Sequence, residues 1–133
     1  VAQQKTMRLA ETYNVQLQYH LLDVNHFDFE DNMFDAVGMI FLHLPPMVRK
    51  NIHNELFRTL KLGGVLIMEA FDKSQLKYGT GGPKNPDMLY SPEVLKKDFV
   101  HFSRLNIRHT LRKINEGTHH VGEASVIQVK AVK

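Results

Sequence analysis

Apolar and polar positions follow two rhythms along the chain, and the switches between them mark its elements. Residues 2–13 carry Met7, Leu9, Ala10 and Tyr13 at a partly helical spacing, with Gln, Lys, Arg and Glu between them, which predicts a helix. Asn14 is suited to end it. Residues 15–22 alternate apolar and polar before turning fully apolar, which predicts a strand. Residues 23–33 are polar and acidic and read as a loop. The run 34–42 is short and apolar, as in a strand buried on both faces. Pro45-Pro46 then open a helix whose apolar positions, Val48, Ile52, Leu56, Phe57 and Leu60, step by three and four. Gly63 or Gly64 is expected to end that helix, because glycine readily takes the left-handed C-cap conformation.

Residues 65–71 predict a second buried strand. Residues 72–90 contain Gly79-Thr80-Gly81-Gly82-Pro83-Lys84 and form a long loop, a feature uncommon unless functional. Ser91-Pro92-Glu93 supplies an N-cap, a first-turn proline and a first-turn acid for a helix to about Phe102. The tail reads as a hairpin, 105–114 and 124–132, turning through 116–122. Helices alternating with short apolar strands predict an α/β fold with a parallel sheet, and the hairpin adds an antiparallel element at one edge.

Composition narrows the classes. The 133 residues suit one domain or part of one. The absence of cysteine excludes disulfides, thiolate metal sites and cysteine nucleophiles. The apolar runs fall far short of the ~20 residues that span a bilayer, and the N-terminus lacks a signal-peptide pattern. A soluble, cytoplasmic protein is therefore expected. The chain starts at Val1 directly in a helical pattern, which predicts a true beginning upstream. Net charge is +3, and Lys96, Lys97, Arg104, Arg108, Arg112 and Lys113 face a single acid, Asp98, in that stretch. This strip reads as a solvated helix face followed by strand edges, with a nucleic-acid surface as the alternative.

Three junctions together carry a family likeness: Leu22-Asp23-Val24 after a strand, Phe34-Asp35-Ala36-Val37 opening the next, and Leu60-Lys61-Leu62-Gly63-Gly64-Val65-Leu66 entering a third. In this order and spacing the chain resembles the later part of a class I S-adenosylmethionine-dependent methyltransferase, with a Rossmann-like sheet. His43-Leu44-Pro45-Pro46, Glu69-Ala70-Phe71, Gln75-Leu76-Lys77-Tyr78, the 79–84 loop and Glu116-Gly117 with His120 and Gly122 look like a small bacterial branch related to the tellurite-resistance methyltransferases. The family's glycine-rich loop and ribose-binding acid do not occur in this chain. The resemblance thus makes residues 1–133 the C-terminal part of one methyltransferase domain, lacking two βα units of roughly 60 residues. It implies S-adenosylmethionine as cofactor, a small-molecule acceptor and a chain inactive alone, whose exposed sheet edge favours aggregation or homo-oligomers.

In open α/β sheets, ligands sit beyond the carboxyl ends of the strands. The resemblance assigns Asp23 to the adenine amino group and the next backbone N–H, at Val24, to a ring nitrogen, the alternative for Asp23 being a turn residue. Phe41 and His43 are expected at cofactor or substrate, though His43 also suits a helix cap or a packing gap. Glu69, an acid inside a buried strand, must face the cleft or pair with a cation; the cleft is the preferred expectation. Tyr78, Gly81 and Gly82 form a lid over the acceptor, or a flexible connector. His119-His120 has no metal-site spacing and reads as a polar hairpin turn folding towards that lid; no metal is expected. Positioning supplies much of methyl transfer, and Glu69, His43 and Tyr78 are the candidates for a base where one is required. A non-enzymatic α/β partner domain, completing its sheet with another chain, is the competing function, and a nicotinamide-binding Rossmann domain fits the pattern less well.

Overall fold

The computed structural model describes residues 1–26, 28–118 and 120–133. Strand β1 (Phe34–Ile40) pairs in parallel with β2 (Leu60–Phe71), and helix α2 (Pro46–Thr59) makes the crossover that parallel pairing needs. A second helix, α3 (Pro92–Asp98), leads into β3 (Arg104–Asn115) and then β4 (Val121–Val132). These last strands form a hairpin, and β4 inserts antiparallel between β2 and β3, giving the order β1-β2-β4-β3. Helix α1 (Ala2–Thr12) lies at the start of the chain. The expected mixed α/β architecture with a closing antiparallel hairpin is the observed one.

The core follows from the alternation in β2. Leu66, Met68 and Ala70 are buried, and they pack with Ile52 and Leu56 of α2, Leu95 and Phe99 beside them, and Ile127, Val129 and Ala131 of β4. The stripe on α2 therefore does what its spacing predicted. Three polar residues of α2, Arg49, His53 and Thr59, are buried as well. Asp98 accepts from Arg49 Nε at 3.1 Å and from His53 Nδ1 at 2.9 Å, joining α2 to the end of α3. Burial works to raise the Asp98 carboxyl, but the bond and charge of His53 together with Arg49 outweigh it, so it titrates below its ordinary value.

The opposite sheet face is open. Ile40, Ile67, Glu69, Arg108 and Gln128 line a groove of about 530 Å³ there. Much of the basic strip is solvated; Arg112 departs from it by pairing with acids.

Three local expectations are corrected. Residues 15–22 form no strand: Val15, Leu17, Leu21 and Leu22 are exposed, and among the described residues this stretch has no ladder partner. Alternation alone does not satisfy strand amides. The second correction concerns Gly63 and Gly64, which do not end α2. The helix stops at Thr59, because Leu60 turns extended, buries completely and pairs with Phe34. Phe34 faces Leu60 and Ala36 faces Val65, so two steps on β1 span five on β2; Gly63 takes φ +78° within that irregularity. Finally, α3 ends at Asp98 rather than near Phe102, and the 72–90 loop holds two short 3-10 turns, Lys73–Lys77 and Pro86–Met88.

Candidate functional site

The carboxyl ends of β1 and β2 are tied together just where the strands stop. Phe41 N–H donates to the Glu69 carbonyl at 2.7 Å, and Phe41 holds φ +49°, a left-handed conformation costly for a bulky residue. Its ring meets Phe71 with centroids 4.7 Å apart. The His43 ring stacks on the same Phe71 ring, with centroids 5.5 Å apart and planes 13° apart. His43 Nδ1 donates to the Met88 carbonyl at 2.9 Å and Nε2 accepts from the Phe71 N–H at 3.3 Å, a tautomer that satisfies both backbone groups. Burial lowers the His43 pKa, opposed by the Met88 bond, so the ring is held neutral. Both nitrogens are engaged by backbone, which makes His43 a clamp between β2 and the 85–90 loop. It is not the cap of α2. Tyr90, fully buried, reinforces this joint by donating to the Leu42 carbonyl at 2.8 Å.

Beyond these rings lies a cavity of about 270 Å³, lined by Phe41, His43, Phe71, Gly82, Glu116 and His120. The last two come from the turn of the β3–β4 hairpin, more than thirty residues further along the chain than Gly82. The 79–84 loop is pinned over that turn. Gln75 donates its amide to Thr80 Oγ1 at 2.9 Å and to the Gly81 carbonyl at 3.1 Å, while its own oxygen accepts from the Ser125 N–H. Thr80 in turn donates to the Glu123 carbonyl. A Cβ on Gly81 would stand 2.3 Å from the His120 ring, and one on Gly82 2.8 Å from Phe71. Both glycines hold φ near +100° (+109° and +89°), so close approach and backbone conformation require glycine together. His120 thus meets the loop as the hairpin reading predicted, and His119 lies outside the described residues.

Glu69 pairs with a cation. Its Oε1 accepts from Arg112 Nε at 3.0 Å and from a second Arg112 nitrogen, and its Oε2 accepts from Gln128 at 2.6 Å. The preference for the cleft is corrected to this extent: Glu69 is not among the cavity's lining residues, because a guanidinium on β3 meets its charge across β4. Arg112 also donates to Glu116 at 3.0 Å, and its pKa rises, chiefly through the Glu69 bond. Tyr78 is half-buried at the end of the 3-10 turn and does not line the cavity either.

Asp23 and Val24 sit elsewhere: Val24 lines a separate apolar slot of about 310 Å³ with Val37, Ile40 and Leu42, and Asp23 precedes it in the chain. Asp23 Oδ1 accepts from the Asn25 N–H at 2.8 Å and from its side-chain amide at 2.9 Å. These bonds lower its pKa, the backbone bond most, so the exposed carboxylate stays ionised. A purine offers an amino donor beside a ring acceptor. An ionised carboxylate next to the backbone N–H of a residue that lines an apolar slot is chemically suited to that edge. The residues present fit the adenine end of a nucleoside cofactor.

The fold is a Rossmann-like methyltransferase sheet with a cavity at the carboxyl ends of its parallel strands, the edge where ligands sit in open α/β sheets. The chain belongs to the family described as "Methyltransferase domain", whose sequence model matches residues 1–68. It is 33% identical over 78 residues, 59% of its length, to the sterol 24-C-methyltransferase of Yarrowia lipolytica, of which it covers 20%. Its fold is similar to that of TehB from Haemophilus influenzae, with TM-score 0.70, 14% identity, 95% of this chain and 44% of that one. It is also similar to a SAM-dependent methyltransferase from Methanosarcina mazei, with TM-score 0.64, 19% identity, 95% of this chain and 76% of that one. The chain thus spans a fifth of the curated relative and less than half of TehB. No helix among the described residues is long and apolar enough to cross a membrane.

Sequence reasoning placed Arg112 in a basic strip and Glu116 among the family-like stretches without finding their ion pairs, and it missed the Arg49–His53–Asp98 clamp. Arg112 and Glu116 are four residues apart at the end of β3 and in the hairpin turn, a signal that exists, but Arg112's other partner, Glu69, is remote in sequence. Phe71 was legible as a strand end; its place between two aromatic rings was not.

Proposed function

We propose that this chain forms the adenine-side wall and the acceptor side of an S-adenosylmethionine-dependent methyl-transfer site acting on a small molecule. The observation that carries this reading is the family membership of residues 1–68 together with a cavity at the carboxyl ends of β1 and β2 and an apolar slot between β1 and α2. Asp23 and the Val24 N–H hold the adenine edge, and Phe41 with His43 shapes the boundary between cofactor and acceptor. When bound, S-adenosylmethionine supplies an electrophilic methyl group on a sulfonium. The chain's residues act mainly by positioning, since methyl transfer rewards an aligned, desolvated pair of reactants. His43 orients Phe71 and the 85–90 loop rather than moving a proton. Gly81 and Gly82 bring the loop down over the acceptor, Tyr78 anchors its near end, and Glu69 sets the position of Arg112.

Within the family, the stretches from His43 to Gly122 favour the small bacterial branch related to tellurite-resistance methyltransferases, acting in the cytoplasm. As the C-terminal part of one methyltransferase domain, residues 1–133 are inactive alone. The open outer edge of β1 favours a second reading: a chain that completes its sheet with another copy or a partner.

Calorimetric titration of S-adenosylhomocysteine into the protein, with any upstream coding segment restored, tests the first reading. Saturable one-to-one binding is expected, weakened about tenfold by Asp23→Ala with unchanged thermal stability. A folded protein that takes up no S-adenosylhomocysteine overturns the cofactor assignment and leaves the partner reading.

A further inference from the structure

The cavity at the β1 and β2 ends has a chemical bias that narrows its ligand. Two of its walls are phenyl rings, Phe41 and Phe71, tilted 38° to one another. Gly82 forms another wall, so close to Phe71 that even a methyl group has no room there. The space favours a flat or slender apolar body. Its rim is polar and comes from the hairpin turn: the Glu116 carboxylate and the His120 ring, the latter held against Gly81.

Charge decides the rest. Two carboxylates, Glu69 and Glu116, share the single guanidinium of Arg112. Glu69 accepts two bonds from it and Glu116 accepts one, so Glu116 keeps carboxylate capacity turned to the cavity rim. The two carboxylates and one guanidinium sum to minus one. A thiolate, phenolate or carboxylate would enter against that field, whereas a cation is attracted both by the carboxylate and by the faces of the two rings.

We infer that the cavity binds a small primary amine carrying a flat or slender apolar body, and that Glu116 is its recognition residue and proton acceptor. This rests on the methyl-transfer reading and names its acceptor class. The amine enters as an ammonium ion, paired with Glu116. It gives one proton to the Glu116 carboxylate, which frees the nitrogen lone pair. That pair forms the new N–C bond to the sulfonium's methyl carbon as the C–S bond breaks, and the departing electron pair stays on sulfur, leaving a neutral thioether. The product is a methylated ammonium ion, and Glu116 returns its proton to solvent. The phenyl rings hold the apolar body while this happens. Glu69 acts through Arg112, whose position it fixes.

Saturation-transfer NMR on the full chain without methyl donor, using benzylamine, benzyl alcohol and benzoate, tests the assignment through binding alone. Benzylamine is expected to bind about tenfold tighter than benzyl alcohol, and benzoate weakest of the three. Glu116→Gln, on an exposed turn, should erase the amine's advantage while leaving benzyl alcohol unchanged. Phe41→Leu should weaken amine and alcohol alike. Equal binding of amine and alcohol by the unmutated protein, or an amine preference that survives Glu116→Gln, overturns the inference, and the first of these does not depend on any variant folding. Titrating S-adenosylhomocysteine into the protein with any upstream coding segment restored, beside the same three ligands, separates the two readings. Amine selectivity without cofactor binding upholds this pocket and removes methyl transfer; cofactor binding without amine selectivity does the reverse.

Discussion

Strand β4 and residues 15–22 are two stretches of similar length scale and apolar content with opposite surroundings. Every residue of β4 from Val121 to Val132 has a ladder partner on β3, and those from Val126 onward have one on β2 as well. Ala124, Val126, Ile127 and Ala131 are fully buried. Among the described residues, 15–22 have no ladder partner, and Leu21 remains 85% exposed. The two cavities are walled differently. The aromatic one is built on the ends of β1 and β2 and the hairpin turn, with the 79–84 loop locked over it. The Val24 slot is walled by β1 and α2, and Val24 alone of its lining comes from the segment that follows residues 15–22. The difference teaches that a ligand wall is only as fixed as the elements behind it.

Replacing a side chain in each region gives the largest contrast. Ile127→Ala should cost about 2–5 kcal/mol through lost burial and a residual cavity, whereas Leu21→Ala should stay within about 0.5 kcal/mol. Urea denaturation followed by circular dichroism measures both, and comparable losses would show that residues 15–22 pack after all. Next in size is the clamp: Asp98→Asn leaves Arg49 and His53 buried without their anionic partner and should cost about 2–3 kcal/mol in the same assay. Gly81→Ala should cost at least about 1 kcal/mol, since the conformation is unfavourable and the new methyl group meets His120. It should also weaken benzylamine while leaving S-adenosylhomocysteine unaffected, which sharpens the separation of the two cavities.

The smallest effect is on pH dependence. The folded His43 pKa is lowered by burial below its ordinary value of 6.5, so the unfolded chain binds a proton first on acidification. Its contribution is complete above 6.5 and is lost as pH falls from there through the folded value. Asp98, also lowered, contributes above its ordinary 3.8 and loses that contribution only in stronger acid. Urea midpoints should therefore drop between about pH 7.5 and pH 5, and His43→Gln should flatten that interval. An unchanged slope in the variant would remove His43 as the cause.

Much of this was readable residue by residue. The stripe on α2, the start of α3 at Ser91-Pro92-Glu93 and the order of β1, β2 and the hairpin rest on local spacing and caps, and Ser91 does accept from the Val94 N–H. The 79–84 loop was legible as a long glycine-bearing loop, and Gly81 and Gly82 do hold conformations that suit glycine. The fate of Leu60 was not, because helix propensity and core demand compete there, and the ladder with Phe34 decides. Nor was the partner of Glu69, since Arg112 stands 43 residues away and meets it only once β4 lies between their strands.

The sequence by itself determined the alternation of helices and strands, the absence of thiol chemistry and the family likeness, all of which depend on residue type and short-range spacing. Only the tertiary structure decided which alternating stretch became a strand, which ions pair and which residues meet in the aromatic cavity. Those outcomes depend on hydrogen-bonding neighbours and desolvation, which exist only after distant segments have come together.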